Sequence, residues 1–155
     1  MISGVHHFSF SVTDLDRTVD FYTKVLKVNL HSRTINKYDS LGHALFGTKW
    51  GLNQQQAELA IAVMDIGGRR VEFIQYRDPK GQPYHGNPSV AGSAHLAFQV
   101  DDIESTRREL EEAGVQFHSQ TQRFMEGGRV EWCWCYFRDP DGIILELVEQ
   151  HEKSE

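Results

Sequence analysis

Two histidines and two glutamates recur at corresponding places along this chain. His7 opens the run His7-Phe-Ser-Phe-Ser-Val-Thr-Asp-Leu15, and His95 opens His95-Leu-Ala-Phe-Gln-Val-Asp-Asp-Ile103. Both fit H-x-x-F-x-V-x-D followed by Leu or Ile. Each half later reaches a strand-like run with a glutamate inside it, Val71-Glu72-Phe-Ile74 and Leu145-Glu146-Leu-Val148. A single histidine in a strand is most often an ordinary residue. A carboxylate between apolar neighbours needs a partner if its face is covered, and here both features occur twice. Two imidazoles and two carboxylates make an N and O donor set suited to Ni, Co, Fe, Mn or Zn. Four such donors leave two octahedral positions, enough for both oxygens of a hydroxy-ketone or enediolate, and the cation then acts as a Lewis acid when a neighbouring C–H proton is lost. Without a cation, two inward carboxylates would repel and one would tend to hold a proton. The expected ligands of one divalent metal ion are therefore His7, Glu72, His95 and Glu146.

Positioning these residues requires two copies of one supersecondary unit. In the first run Phe8, Phe10 and Val12 alternate with His7, Ser9 and Ser11, and in the second Leu96, Phe98 and Val100 alternate with His95, Ala97 and Gln99. Period-two alternation predicts strands whose apolar set faces a covering helix, with each histidine on the opposite face. Asp14, and Asp101 or Asp102, are placed as helix N-caps. Leu15, Val19, Tyr22 and Leu26 are spaced for one face of the first helix, and Ile103, Leu110 and Ala113 for the second. Gly114 is a natural stop for the second helix. Lys27 stands near the corresponding place in the first, so that end is expected to be built differently. Gly67-Gly68 and Asp139-Pro-Asp-Gly142 are turn signals ahead of the two glutamate strands. Between residues 33 and 62 two strands are predicted, near 43–47 and 58–64.

The predicted fold class is α+β: two βαβββ modules in a pseudo-twofold arrangement, forming a curved mixed sheet around a metal cleft. The first module covers 1–76. A linking loop rich in Pro and Gly covers 77–93, the second module covers 94–150, and 151–155 is expected to fray. The glutamate face of the first module holds Glu72, Ile74 and Tyr76, and that of the second holds Glu146 and Val148.

The remaining composition is that of a soluble globular protein. The chain has 155 residues, 39% of them apolar and 25% charged, with a net charge of −6. An acidic balance argues against a nucleic-acid surface, which needs a basic stripe. The apolar runs are far too short to span a membrane, and the first residues carry no secretion-signal pattern. Cys133 and Cys135 lie one residue apart, badly placed to bridge each other, and read as reduced thiols of a cytoplasmic protein.

The opening H-x-x-F-x-V-x-D-L-x-R-x-x-x-F-Y-x-x-V-L resembles the start of the vicinal-oxygen-chelate (glyoxalase, bleomycin resistance and dioxygenase) superfamily. So do Ala94-His95-Leu-Ala-Phe-Gln-Val-Asp-Asp-Ile103 and Asp139-Pro-Asp-Gly-Ile-Ile-Leu-Glu146-Leu. The resemblance covers about residues 4–150. It implies paired βαβββ modules, often a homodimer, and metal-ligand positions at His7, Glu72, His95 and Glu146. It is specific for the fold and weak for the reaction. Filling all four ligand positions resembles the lyase and epimerase branches. Lactoylglutathione lyases generally carry an arginine four residues after the first histidine, where this chain has Ser11, and tend to carry Asn four residues after the first glutamate, where it has Tyr76. The stretch from Glu72 into Ala94-His95 resembles a subgroup with sugar-ketone (valiolone-type) epimerases.

The expected activity is a divalent-metal-dependent isomerase, epimerase or glyoxalase-like lyase acting on a small molecule with adjacent oxygens. It works by proton abstraction and a metal-bound enediolate. Glu146 is the expected base, with Glu72 on the opposite side. Two alternatives are an extradiol-type dioxygenase with three ligands and a metal-free small-molecule binding protein. Arg123, Arg129 and Trp134 are candidates for the cleft wall, whereas aromatics in Trp132-Cys-Trp-Cys-Tyr-Phe137 are more often packing. His85 reads as a solvated loop histidine that could cover the substrate. His6 is expected to point to the other sheet face, and His31, His43, His118 and His151 carry no motif.

Overall fold

The computed structural model describes residues 1–37, 58–78 and 80–151. The chain divides into two compact units, Met1–Pro83 and Tyr84–Glu155, with the boundary inside the linking stretch 77–93. Among the described residues no helix is long and apolar enough to cross a membrane.

The first unit runs β1 (His7–Val12), α1 (Leu15–Asp20), a single π turn (Phe21–Val25), β2 (Asn29–Lys37), β3 (Glu58–Ile66) and β4 (Arg69–Asp78). Its sheet has the order β1-β4-β3-β2, with β1 parallel to β4 and the other pairs antiparallel. Phe10 and Val12 share a face with Val71, Phe73 and Gln75, and the Tyr22 ring packs on Phe73 with centroids 4.4 Å apart. Leu15, Val19 and Tyr22 are buried, as their spacing predicts, while Phe8 stays half-exposed. The Gln75 amide ties the helix start to the sheet: its Oε1 accepts from Leu15 N at 3.3 Å and its Nε2 donates to the Thr13 carbonyl at 2.9 Å. Strand β2 was not anticipated, the 58–64 prediction corresponds to β3, and the strand predicted near 43–47 lies outside the described residues.

The second unit repeats the order: β5 (His95–Gln99), α2 (Ile103–Glu112), β6 (Gln122–Glu126), β7 (Arg129–Arg138) and β8 (Ile144–Gln150). Its sheet has the order β5-β8-β7-β6, again with one parallel pair, β5 with β8. Cys133, Cys135, Phe137, Leu145 and Leu147 form the buried face with Ile103 and Leu110 of α2. Both units are thus βαβββ modules. The two cysteines are free thiols. Burial pushes the Cys135 thiol up to about 11, so it stays a neutral packing group.

Asp14 caps α1 by accepting from Arg17 N at 3.1 Å, and Asp102, rather than Asp101, caps α2 by accepting from Ser105 N at 2.9 Å. Ala113, predicted for the buried stripe of α2, is exposed because it already forms the C-cap. The expectation that the Lys27 end is built differently is half right. The chain leaves α1 through the π turn, with Leu26 N donating to the Phe21 carbonyl at 3.1 Å. Yet Lys27 takes the left-handed conformation, φ 56°, that Gly114 takes after α2, φ 91°. A side chain is disfavoured there by its Cβ. Lys27→Gly is therefore expected to stabilise the fold by about 1 kcal/mol, the steric relief exceeding the extra freedom of glycine in the unfolded chain. Urea denaturation checks this, and a midpoint that falls would show that the Lys27 side chain contributes more than its backbone costs.

Candidate metal centre

Parallel pairing brings each histidine to its glutamate in the same way. His7 is opposite Arg70 and Ser9 is opposite Glu72, so Glu72 lies one same-face step beyond the histidine. His95 is opposite Ile144 and Ala97 is opposite Glu146, the identical offset. The residue directly beside each carboxylate, Ser9 or Ala97, is small, which leaves room for the imidazole to reach along the face. His7 Nε2 lies 3.9 Å from Glu72 Oε2, and His95 Nε2 lies 3.1 Å from Glu146 Oε2. Two donors each about 2.1 Å from one cation, at right angles, sit roughly 3 Å apart. The second pair has that separation, and the first is somewhat wider. The donor chemistry of both pairs, and the spacing of the second, therefore fit a divalent cation. Each pair belongs to one unit, and among the described residues no group of three or more His, Cys, Asp or Glu is gathered as a metal cage.

The two pairs differ in their surroundings. Around Glu72, Ile74 and Tyr76 pack with Leu59, Ile61 and Val63. Burial, with the Glu72 charge adding to it, raises the Tyr76 phenol above its ordinary value. Glu146 is only 8% exposed. Tyr136 stands directly opposite it in the β7–β8 ladder. Burial first, then its interaction with the Glu146 carboxylate, raises the Tyr136 phenol above its ordinary value, so it keeps its proton. The position opposite Glu72 is Val63, which has no phenol. The His95 ring meets Tyr136 edge-on, centroids 5.9 Å apart.

Several sequence readings change here. His6 was expected to point away, but its Nδ1 lies 2.8 Å from His7 Nδ1. It precedes β1, so strand alternation does not govern it. That contact leaves His7 Nε2 for Glu72. Arg123 is no cleft residue: its guanidinium pairs with Glu104 of α2 at 2.9 Å, on the helix side. Arg129 is exposed at the start of β7. In β7 only Cys133, Cys135 and Phe137 enter the core, while Trp132, Trp134 and Tyr136 lie on the glutamate face. His85 is exposed in its loop, and beside it Gly86 is pinned by Arg138, which donates to the Gly86 carbonyl at 2.9 Å and the Gly142 carbonyl at 2.6 Å.

The repeated histidine–glutamate register inside two βαβββ units agrees with a family-wide match. Residues 4–147 fit the model of the Glyoxalase/Bleomycin resistance protein/Dioxygenase superfamily. The chain belongs to this superfamily. Among its members, a 2-epi-5-epi-valiolone epimerase from an Actinomyces species is 28% identical over 147 residues, covering 94% of this chain and 78% of the relative. The metallothiol transferase FosB of Bacillus licheniformis is 28% identical over 148 residues, covering 94% and 75%. In structure, a glyoxalase family protein from Bacillus cereus superposes with a TM-score of 0.78 at 20% identity, over 98% of this chain and 97% of that one. The epimerase and the transferase are by name enzymes of two different reaction types.

Proposed function

We propose that the chain is a divalent-metal-dependent enzyme acting on a small molecule with adjacent oxygens by moving a proton at carbon, as an isomerase, epimerase or glyoxalase-like lyase. The observation that carries this reading is the histidine–glutamate pair made twice by the same parallel register, with N–O separations of 3.9 and 3.1 Å. His7, Glu72, His95 and Glu146 would hold one cation of the Ni, Co, Zn, Mn or Fe class. When bound, that cation supplies Lewis-acid polarisation of a carbonyl oxygen and its vicinal neighbour.

The chain's own groups do the rest. Glu146 is the base that takes the proton from the carbon beside the carbonyl. Its carboxylate is screened from water and has Tyr136 directly opposite it on the same face, which limits the reorganisation needed at the moment of transfer. Glu72, less buried and without a phenol opposite, would be the second carboxylate to exchange a proton with the substrate, as an epimerase requires. Among relatives, the epimerase by name supports this choice. The transferase favours a different reaction on the same fold.

The direct test is proton exchange. A panel of α-hydroxy-ketones and keto-sugars is incubated with the protein in deuterated water and followed by proton NMR. At least one member is expected to lose its α-proton signal, to stop doing so after chelation, and to resume when a divalent ion is restored. No exchange across the panel with metal-loaded protein would count against proton transfer as the reaction.

A further inference from the structure

The glutamate face of the second unit continues well beyond the His95–Glu146 pair. Along β7, Tyr136, Trp134 and Trp132 follow at alternate positions, and across the strand pairing Phe124 stands beside Trp132. Consecutive rings touch edge-on: Trp134 and Trp132 have centroids 6.1 Å apart, and Trp132 and Phe124 6.3 Å apart. Trp132 and Phe124 are each 48% exposed, a large apolar area to leave in water. Each tryptophan also has a glutamine beside it on the same face, Gln122 next to Trp134 and Gln150 next to Trp132. The Gln122 amide nitrogen donates to the Gln120 carbonyl at 2.9 Å, which leaves its Oε1 as an acceptor.

These facts select a ligand chemistry. From Tyr136 to Trp132 the row spans about 13 Å of strand, more than a three-carbon dicarbonyl needs. Apart from Glu146 the row is uncharged, because Arg123 of β6 is turned to Glu104 on the helix side. An anionic tail would find no counter-charge on this row of described residues. A purely hydrocarbon ligand would cover the Gln122 amide oxygen and the Gln150 amide without pairing them, at a cost. A ring with an apolar C–H face and hydroxyl groups at its rim satisfies both the indoles and the amides.

We propose that the Trp134–Trp132–Phe124 row with Gln122 and Gln150 is the subsite for an uncharged polyhydroxylated ring, a cyclitol or sugar, whose reacting carbons reach the Glu146 end. The assignment rests on the reading of His95 and Glu146 as the reacting end of the site. The probe is myo-inositol, titrated into metal-loaded protein and followed by saturation-transfer NMR, with hydroxyacetone as a small comparator. Binding of myo-inositol is expected to saturate, to weaken about tenfold in Trp132→Ala (~1.4 kcal/mol) and to recover in Trp132→Phe, while hydroxyacetone binding is unaffected by either change. Trp132 is half-exposed, so its loss leaves the core intact. Unsaturable binding, or binding indifferent to Trp132→Ala, overturns the subsite. So does self-association of the wild type that Trp132→Ala abolishes, which would make the row a contact between copies. Metal content measured on the same samples separates the two readings. Bound metal lost in Glu146→Gln, with no myo-inositol binding, defeats the subsite alone. Wild-type protein that takes up no metal defeats the proposed function itself.

Discussion

Glu146→Gln is expected to reduce proton exchange into substrate by roughly a hundredfold to ten-thousandfold, the range that a positioned general base contributes. Glutamine keeps the shape of the side chain beside Tyr136, but its amide cannot take up a proton. Leu145 and Leu147 on either side stay packed on the helix face, so the fold is expected to survive. The same change removes an anionic donor beside His95 Nε2, where the present separation is 3.1 Å, so metal affinity is expected to fall as well. Proton NMR in deuterated water reads the first effect, and a competition titration with a metal indicator reads the second. A Glu146→Gln protein that retains more than a tenth of its activity would move the base elsewhere, with Glu72 next in line.

Asp139→Ala is expected to cost about 3 kcal/mol through a group that touches no substrate. Asp139 is 5% exposed and organises the turn that launches β8. Its Oδ1 accepts from Asp141 N at 2.9 Å and from Ile143 N at 2.8 Å. Its backbone closes the turn as well, with its amide donating to the Ile143 carbonyl and its carbonyl accepting from Gly142 N. Gly142 at φ 85° supplies the left-handed step the turn needs. Alanine leaves two amide hydrogens unpaired in a covered place. For a chain of this length that corresponds to a fall of roughly 6–12 °C in melting temperature. Asp139→Asn keeps an oxygen acceptor and is expected to cost clearly less. Equal losses for the two variants would assign the effect to something other than those two hydrogen bonds.

The repeated motif made the frame of each unit readable. An apolar face with period two, an Asp cap and a Pro-Gly-rich turn each fix one local choice, and these agreed from strand to strand. The contact of His7 with Glu72 and of His95 with Glu146 was not legible in the same way, because strand parity decides which face a side chain takes but not which strand lies beside it. Parity fails where both phases are apolar. Trp132-Cys-Trp-Cys-Tyr-Phe137 has no polar set to mark the outer face, so Trp134 alone stands out as a cleft candidate while Tyr136 and Trp132 read as packing. Lys27 could not be foreseen in a left-handed conformation, since nothing local favours it and the surrounding chain must impose it. His6 escaped because alternation holds only inside a strand, and β1 begins one residue later. Arg123 was misplaced because its direction depends on Glu104, a helix residue across the sheet.

In the function we propose, His7, Glu72, His95 and Glu146 would serve a single cation. The measurement that bears on it most directly is metal content per chain after purification without chelators and after reloading with Ni, Co, Mn, Fe or Zn, for wild type, Glu72→Gln, Glu146→Gln, His7→Ala and His95→Ala. About one divalent ion per chain is expected in the wild type, with affinity in every variant lowered by more than about a hundredfold, beyond the loss typical when only a group behind a ligand is changed. Undiminished binding in Glu72→Gln would contradict the four-donor set and favour three ligands. A wild type that takes up no metal would contradict the account as a whole and leave a metal-free small-molecule binder in its place.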